Sequence, residues 1–395
     1  MRTAGRLLLF TLLTIWFSTQ TYAQSNPGMM EDTSGGQRLG KIQIEAYIDA
    51  YFGAFYPRSG KTADALPTFV NHAITNQATV NLAYLDFRYS TEKIRSRIIP
   101  AFGTYMEANY PNSKTGLLME ASVGVRLSRK TWIDAGILPS PISNETPLSK
   151  DHLMFTRSLA AEFVPYYFNG IRFQWNLREN LKLYAYLVNN WTSNVPDQFT
   201  NSRRYKSGLL QGEWKPKPGH LFNLNLFAGP ENRRAMMPIP SLTPNGEGFF
   251  SFADLYYVYA PEGKPLSLTA CAWAGQLRWN PSQKTEADSR SLTRQANLIA
   301  AYEVAKGHKI SGRVEIYQQQ IQTQNQNGSW KNAELDLARN QVASFGLGYA
   351  YQVYPGALVR VEGRHFTAPQ RIQTRENAFY SLSGTWAIVG ASFSY

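Results

Sequence analysis

One cysteine, Cys271, occurs in 395 residues, so no intrachain disulfide can form and packing or hydrogen bonding must hold the chain. Long apolar runs are nearly as scarce. After residue 23 none approaches the roughly 18 residues a membrane helix needs, which excludes a helical span from the body of the chain. Acidic side chains are outnumbered, 28 Asp and Glu against 40 Lys and Arg, giving a formal charge of +12. The signatures of metal and phosphate chemistry are missing. The five histidines and lone cysteine show no ligand spacing, and no glycine-rich phosphate cradle occurs, so no metal or cofactor is expected.

The first residues place Arg2 and Arg6 ahead of the apolar run "LLLFTLLTIWF" (7–17), with "TYAQ" following. This reads as a secretory signal over 1–23, too short for a stable span. No cysteine follows the run, so no lipoprotein anchor is expected. Losing Arg2 and Arg6 lowers the charge from +12 to +10. For an exported chain, that surplus suits an anionic membrane surface or anionic solutes and speaks against nucleic acid.

Strict alternation is the dominant pattern. In "KIQIEAYIDAY" (41–51), Ile42, Ile44 and Ile48 share one face, with Glu45 and Asp49 on the other. "LMEASVGVRL" (118–127) sets Met119, Ala121, Val123 and Val125 against Glu120 and Arg126. "TWIDAGI", "GIRFQWNL" and "LKLYAYLV" continue the rule, placing Asp134, Arg172 and Lys182 on polar faces. So do "KISGRVEIY" and "ALVRVEGR", with Arg313, Arg360 and Arg364. About sixteen such segments occur, near the 9–11 residues of a tilted membrane-crossing strand.

The connections sort by length. Short links such as "STEK", "SRK", "REN" and "YPG" alternate with long polar ones near 56–76, 107–117, 139–169, 192–206, 230–247, 280–290, 321–339 and 367–378. Outer-membrane barrels have this asymmetry, with short periplasmic turns and long extracellular loops. Backbone groups in hydrocarbon find no water, so strands can span it only as a closed barrel. The expected fold is all-β: a closed antiparallel transmembrane β-barrel over 41–395, of about sixteen strands, its lumen lined by the polar faces that carry Glu45, Asp49, Arg95, Arg97, Arg126, Asp134, Arg172, Lys182, Arg313, Arg360 and Arg364. A flexible periplasmic tail (24–40) precedes it, and outer-membrane lipid surrounds it. Three stretches fit less well. "NLAYLDFRY" changes phase and Pro100 interrupts a strand, so bulges are expected near both. "GFFSFADLYYVYA" (248–260) is apolar on both faces, which suits an aromatic girdle, a plugged lumen or a subunit contact.

The segments "IEAYIDAYF", "FGTYMEANY", "EASVGVRLSRKTWIDAGILPSPIS" and "FTRSLAAEFVPYYFNGI", within 44–191, resemble the OmpL-like β-barrel porins of Gram-negative bacteria. The end "AIVGASFSY" resembles the terminal signal of outer-membrane barrels, implying recognition of Phe393 and Tyr395 by the barrel-assembly machinery. The resemblance implies a channel for passive diffusion of small hydrophilic solutes, and a homotrimer by analogy with sixteen-stranded porins. It also implies that the link 139–169 folds inward as a constriction. That link carries Glu145, Lys150, Asp151, Arg157 and Glu162, and a short helix begun by Asp151 is expected in it. Glu145 and Asp151 are expected to face wall bases such as Arg95, Arg97, Arg126 and Arg172, with a weak anion preference from the basic interior.

Two other readings fit parts of the sequence. Long loops rich in Tyr, Trp and Asn suit an adhesin or scaffold with a filled barrel. A rim hydrolase needs a histidine with an acid or nucleophile. Among His72, His152, His220, His308 and His365, only His152 beside Asp151 and His365 near an outer strand end offer one, and neither stands in a catalytic motif.

Overall fold

The computed structural model describes residues 37–39, 42–58, 65–66, 69–109, 118–189, 191, 206–232, 247–279, 289–324, 329–332, 339–368, 372–373, 379–380 and 382–395. The expected leader and the tail up to residue 36 lie outside them. Gln37–Leu39, at the end of the expected tail, pairs with the start of the first long strand.

Sixteen strands form the wall. They begin with β1 (Ile42–Pro57), β2 (Ala78–Ser90), β3 (Ile94–Phe102), β4 (Leu118–Arg126), β5 (Thr131–Pro139) and β6 (Tyr167–Arg178). β7 (Leu181–Val188), β8 (Ser207–Trp214), β9 (His220–Asn232), β10 (Glu247–Tyr259) and β11 (Leu266–Trp279) follow. β12 (Ser289–Ala305), β13 (His308–Gln324), β14 (Arg339–Tyr354), β15 (Ala357–Thr367) and β16 (Gly384–Ser394) complete the series. Each pairs antiparallel with its neighbours in sequence, and β16 closes on β1 from Tyr47↔Ser394 to Pro57↔Gly384. Tyr395 adds two further 2.9 Å backbone bonds with Ala46. Closure leaves no open edge, as hydrocarbon requires. The expected barrel and its strand number are both present, and the links sort as read. Seven turns of at most six residues alternate with eight links of nine or more.

Alternation decides which side chains face out. On β1, Ile42, Ile48 and Phe52 are exposed on the outer surface, while Glu45, Tyr47, Asp49 and Tyr51 are buried inside. Asp49 pairs with Leu82 and Ala50 with Val80, so Asn81 is the extra residue of a bulge that resets the phase of β2. A second register shift lies at Pro100, where Ile99 pairs with Glu120 and Pro100 with Leu118. It leaves Met119 unpaired and turns it inward, where it is 3% exposed, instead of onto the outer face with Ala121 and Val123. The two-faced stretch in β10 also resolves. Phe250, Phe252, Tyr256 and Val258 fill the interior, and Phe249 and Leu255 face outward. Cys271 of β11 is buried, its thiol donating to Asp254 Oδ1 at 3.3 Å.

Candidate functional site

The link 140–166, between β5 and β6, lies inside the barrel and is hydrogen-bonded to the opposite wall. The Ser143 amide donates to Asp254 on β10 (3.0 Å), and Asn144 Nδ2 donates to Thr269 on β11 (2.9 Å). Ser149 Oγ donates to Asp49 on β1 (2.8 Å), and the Thr156 amide donates to Glu362 on β15 (2.8 Å). The Leu159 amide donates to Glu315 on β13 (2.6 Å). Asp254, Asp49, Glu362 and Glu315 sit near the middle of their strands, so the link crosses at mid-height. No helix begins at Asp151, which ends a single 3-10 turn, Ser149–Asp151. The helix is Leu159–Glu162, begun by Ser158, whose hydroxyl accepts from the Ala161 amide. The cap fixes the start because its side chain satisfies an amide that the first turn leaves open.

Arg313 of β13 and Arg364 of β15 hold the far side of this segment. Both pair with Gly346 in the strand between them, which presents no side chain to keep them apart. Arg313 bonds the Thr156 carbonyl (2.8 Å) and Glu362, and Arg364 bonds the Arg157 carbonyl (2.9 Å) and Glu315. Arg360 bonds Ser149 and lies over the Phe155 ring at 4.5 Å. All three arginines are buried, a state tolerable only because each meets acceptors.

Glu145 therefore faces Ser158 and the far-side charge of Arg313 rather than Arg95, Arg97, Arg126 and Arg172. Those arginines find acceptors nearer home. Arg95 and Arg172 both reach Asp134, at 2.6 and 3.0 Å, and Arg97 bridges Asp86 (2.8 Å) and Glu120 (2.9 Å). Arg126 sits exposed at the short-turn rim, bonding the carbonyls of Glu92, Ser128 and Arg129 rather than lining the interior. Lys182 lies half-buried opposite Glu213 in β8. Glu145 accepts from the Ser158 amide (2.6 Å), and its main-chain carbonyl accepts from Arg157 (3.0 Å). Burial lifts the Glu145 carboxyl above its ordinary range, against the pull of the Arg313 charge. Glu162 accepts from the Val70 amide (2.9 Å), and burial raises it likewise. Lys150 reaches Glu45 and lies 5.5 Å from the Tyr47 ring centre, while Asp151 is half-buried.

The sequence reading missed a second inward segment, 69–77. His72, 0% exposed, has Nε2 2.9 Å from Asp49 Oδ2, the same oxygen that accepts from Ser149. Asn71 Nδ2 donates to the Pro147 carbonyl (3.0 Å), tying this segment to 140–166. The one trace in the sequence is the phase change at Asn81, whose Oδ1 accepts from the His72 amide at 2.9 Å. Ser149 and His72 both bond the carboxylate and not each other, so the serine–histidine contact of a nucleophile pair is not made. The two catalytic candidates fare no better. His152 is buried against the Thr146 carbonyl, with its pKa held well below the ordinary value of 6.5 by burial and then by the Arg157 charge. His365 lies on the outer side of β15, bonded to Thr385.

Aromatic side chains fill the part of the interior near β9–β13. Phe163 stacks on Tyr317 at 4.2 Å, and Trp191 contacts Phe227, Phe250 and Phe252 at 4.6–5.0 Å. Near β2–β3 the interior is polar and reached by water. The side chains of Arg88, Arg97 and Lys150 are 21%, 15% and 17% exposed, whereas their partners Glu45, Asp86 and Glu120 are 0–5% exposed.

This architecture recurs in known proteins. The outer-membrane channel DcaP of Acinetobacter baumannii is similar over 91% of this chain and 99% of its own, with a TM-score of 0.57 at 10% identity. The trimer form of OmpT from Vibrio cholerae is similar over 90% and 100%, with a TM-score of 0.54 at 10% identity. An anion-selective porin from Comamonas acidovorans is similar over 90% and 99%, with a TM-score of 0.50 at 8% identity. At such identities the likeness is one of fold. Among curated proteins none matches this chain. The model of the family described as "Putative beta-barrel porin-2, OmpL-like" matches residues 41–393, well beyond the first half that carried the resemblance. This chain belongs to that OmpL-like family of β-barrel porins, and its place is the bacterial outer membrane.

Proposed function

We propose that the chain is a channel for passive diffusion of small hydrophilic solutes, narrowed at mid-height by the inward link 140–166. The observation that carries this reading is the set of bonds from Ser143, Ser149, Thr156 and Leu159 to four separate wall strands. They hold the link across the lumen where it sets the size of what passes. The water-reached side chains Arg88, Arg97 and Lys150 supply a weak anion preference, since their acidic partners are buried behind them. The trimeric form of the V. cholerae OmpT structure supports a homotrimer here.

Planar-bilayer recording of the full chain tests the reading. Stepwise conductance and a reversal potential of anionic sign in a salt gradient are expected. Deleting 145–160 should raise the conductance, and an unchanged value would remove the constriction. A cation-selective reversal potential would contradict the anion preference. Absence of any conductance, with no swelling of loaded liposomes, would leave a closed barrel acting as an adhesin or scaffold.

A further inference from the structure

The outer surface of the barrel repeats one arrangement at two places. His220 opens β9 after the turn 215–219, and His308 opens β13 after the turn 306–307. The glycine before each is left-handed, Gly219 at φ 77° and Gly307 at φ 78°. Directly across in the next strand stand Tyr259 and Tyr351, with ring centres 5.1 and 4.4 Å from the histidine rings. Two residues earlier, the hydroxyls of Tyr257 and Tyr349 share hydrogen bonds with the histidine Nδ1 atoms, at 2.8 and 2.7 Å. An exposed lysine precedes each histidine in its turn, Lys217 and Lys306. The Nε2 of neither histidine has a partner among the described residues.

Both sets lie where the strands meet the short turns, at the depth of lipid headgroups on that side of the barrel. Tyrosine suits that boundary, with its ring in the apolar layer and its hydroxyl in the polar one. When the tyrosine hydroxyl donates to Nδ1, the neutral imidazole carries its hydrogen on Nε2 and can donate to an anion. A phosphate is the anion present at that depth, and the nearby lysine favours a headgroup with net negative charge. We propose that each His–Tyr–Tyr–Lys set binds the phosphate of a net-anionic glycerophospholipid in the leaflet on the short-turn side. The inference needs the barrel to span the membrane, which family membership supplies, and does not need the channel to be open. His365 provides an internal contrast. It also faces outward, but it lies near the long-link end and bonds Thr385 Oγ1 (2.9 Å), with no tyrosine pair.

The test is native mass spectrometry of the full chain in detergent, with phosphatidylglycerol or inorganic phosphate added. Wild type should retain two phosphatidylglycerol molecules, and inorganic phosphate at equal concentration should not displace them. The double variant His220→Phe/His308→Phe should retain about tenfold less at each site, the effect of losing a hydrogen bond to a charged group. His365→Phe should retain as much as wild type. Equal retention by the double variant and wild type would overturn the proposal, and displacement by inorganic phosphate would replace the lipid site with a free-anion site. If the double variant does not fold, Tyr257→Phe/Tyr349→Phe removes only the hydroxyls. It should lower retention about threefold, and no change would equally overturn the assignment.

Discussion

Arg95 of β3 reaches Asp134 of β5 across the strand between them, Nε to Oδ1 at 2.7 Å, because Gly124 stands at the crossing point. A Cβ at Gly124 would lie against Asp134 Oδ1 and 2.9 Å from Arg95 Cγ. Gly124→Val should therefore break the pair and leave a buried arginine short of acceptors. The expected cost is about 3 kcal/mol, read as a lower denaturant midpoint for the barrel.

Asp49 is the acceptor shared by His72, Ser149 and Asn81. Asp49→Ala should loosen both inward segments together, since one carboxylate serves both. We expect about 3 kcal/mol of destabilisation, together with faster protease cleavage within 69–77 and 140–166. Cleavage confined to one segment would show that the two are held independently.

The buried titrating groups of the link act in opposite directions with pH. Glu145 and Glu162 have raised pKa values, chiefly from burial, so the folded state holds their protons more tightly than the unfolded chain. Their contribution is full below the ordinary carboxylate range and is lost as pH rises through the raised values. His152 is lowered, so its contribution is present above its ordinary 6.5 and is lost as pH falls through the lowered value. Glu145→Gln should reduce the loss of stability toward higher pH, and His152→Gln should reduce the loss toward lower pH. Thermal unfolding between pH 4 and pH 8 (about the range set by ordinary Glu and His values) separates the two.

Lys150 is the water-reached base carried by the link itself. Lys150→Glu should shift the reversal potential toward cations while leaving the conductance within about twofold, because the link keeps its backbone bonds to the wall. A large rise in conductance would mean that Lys150 helps to seat the link.

Most of the wall was legible because its rules are local. A period of two assigns Ile48 outward and Asp49 inward without knowledge of any partner, and turn length sets the order of links. Even the bulge at Asn81 announced itself as a phase change. What each polar group meets is not local. Glu145 could not be assigned to Ser158 and Arg157 before the path of the link was known. Arg97 took Asp86 and Glu120 because neighbouring strands brought them closer than any loop. Met119 was misassigned for a related reason, since the shift beside Pro100 depends on how β3 and β4 pair.

Cys271 faces inward and is sealed against Asp254. A cysteine engineered on the outer surface or in a turn would be the sole thiol open to reagents, with no native residue to remove first. Fluorophore or spin-probe pairs placed on 69–77 and 140–166 would thus report the spacing of the two segments in an otherwise unaltered chain.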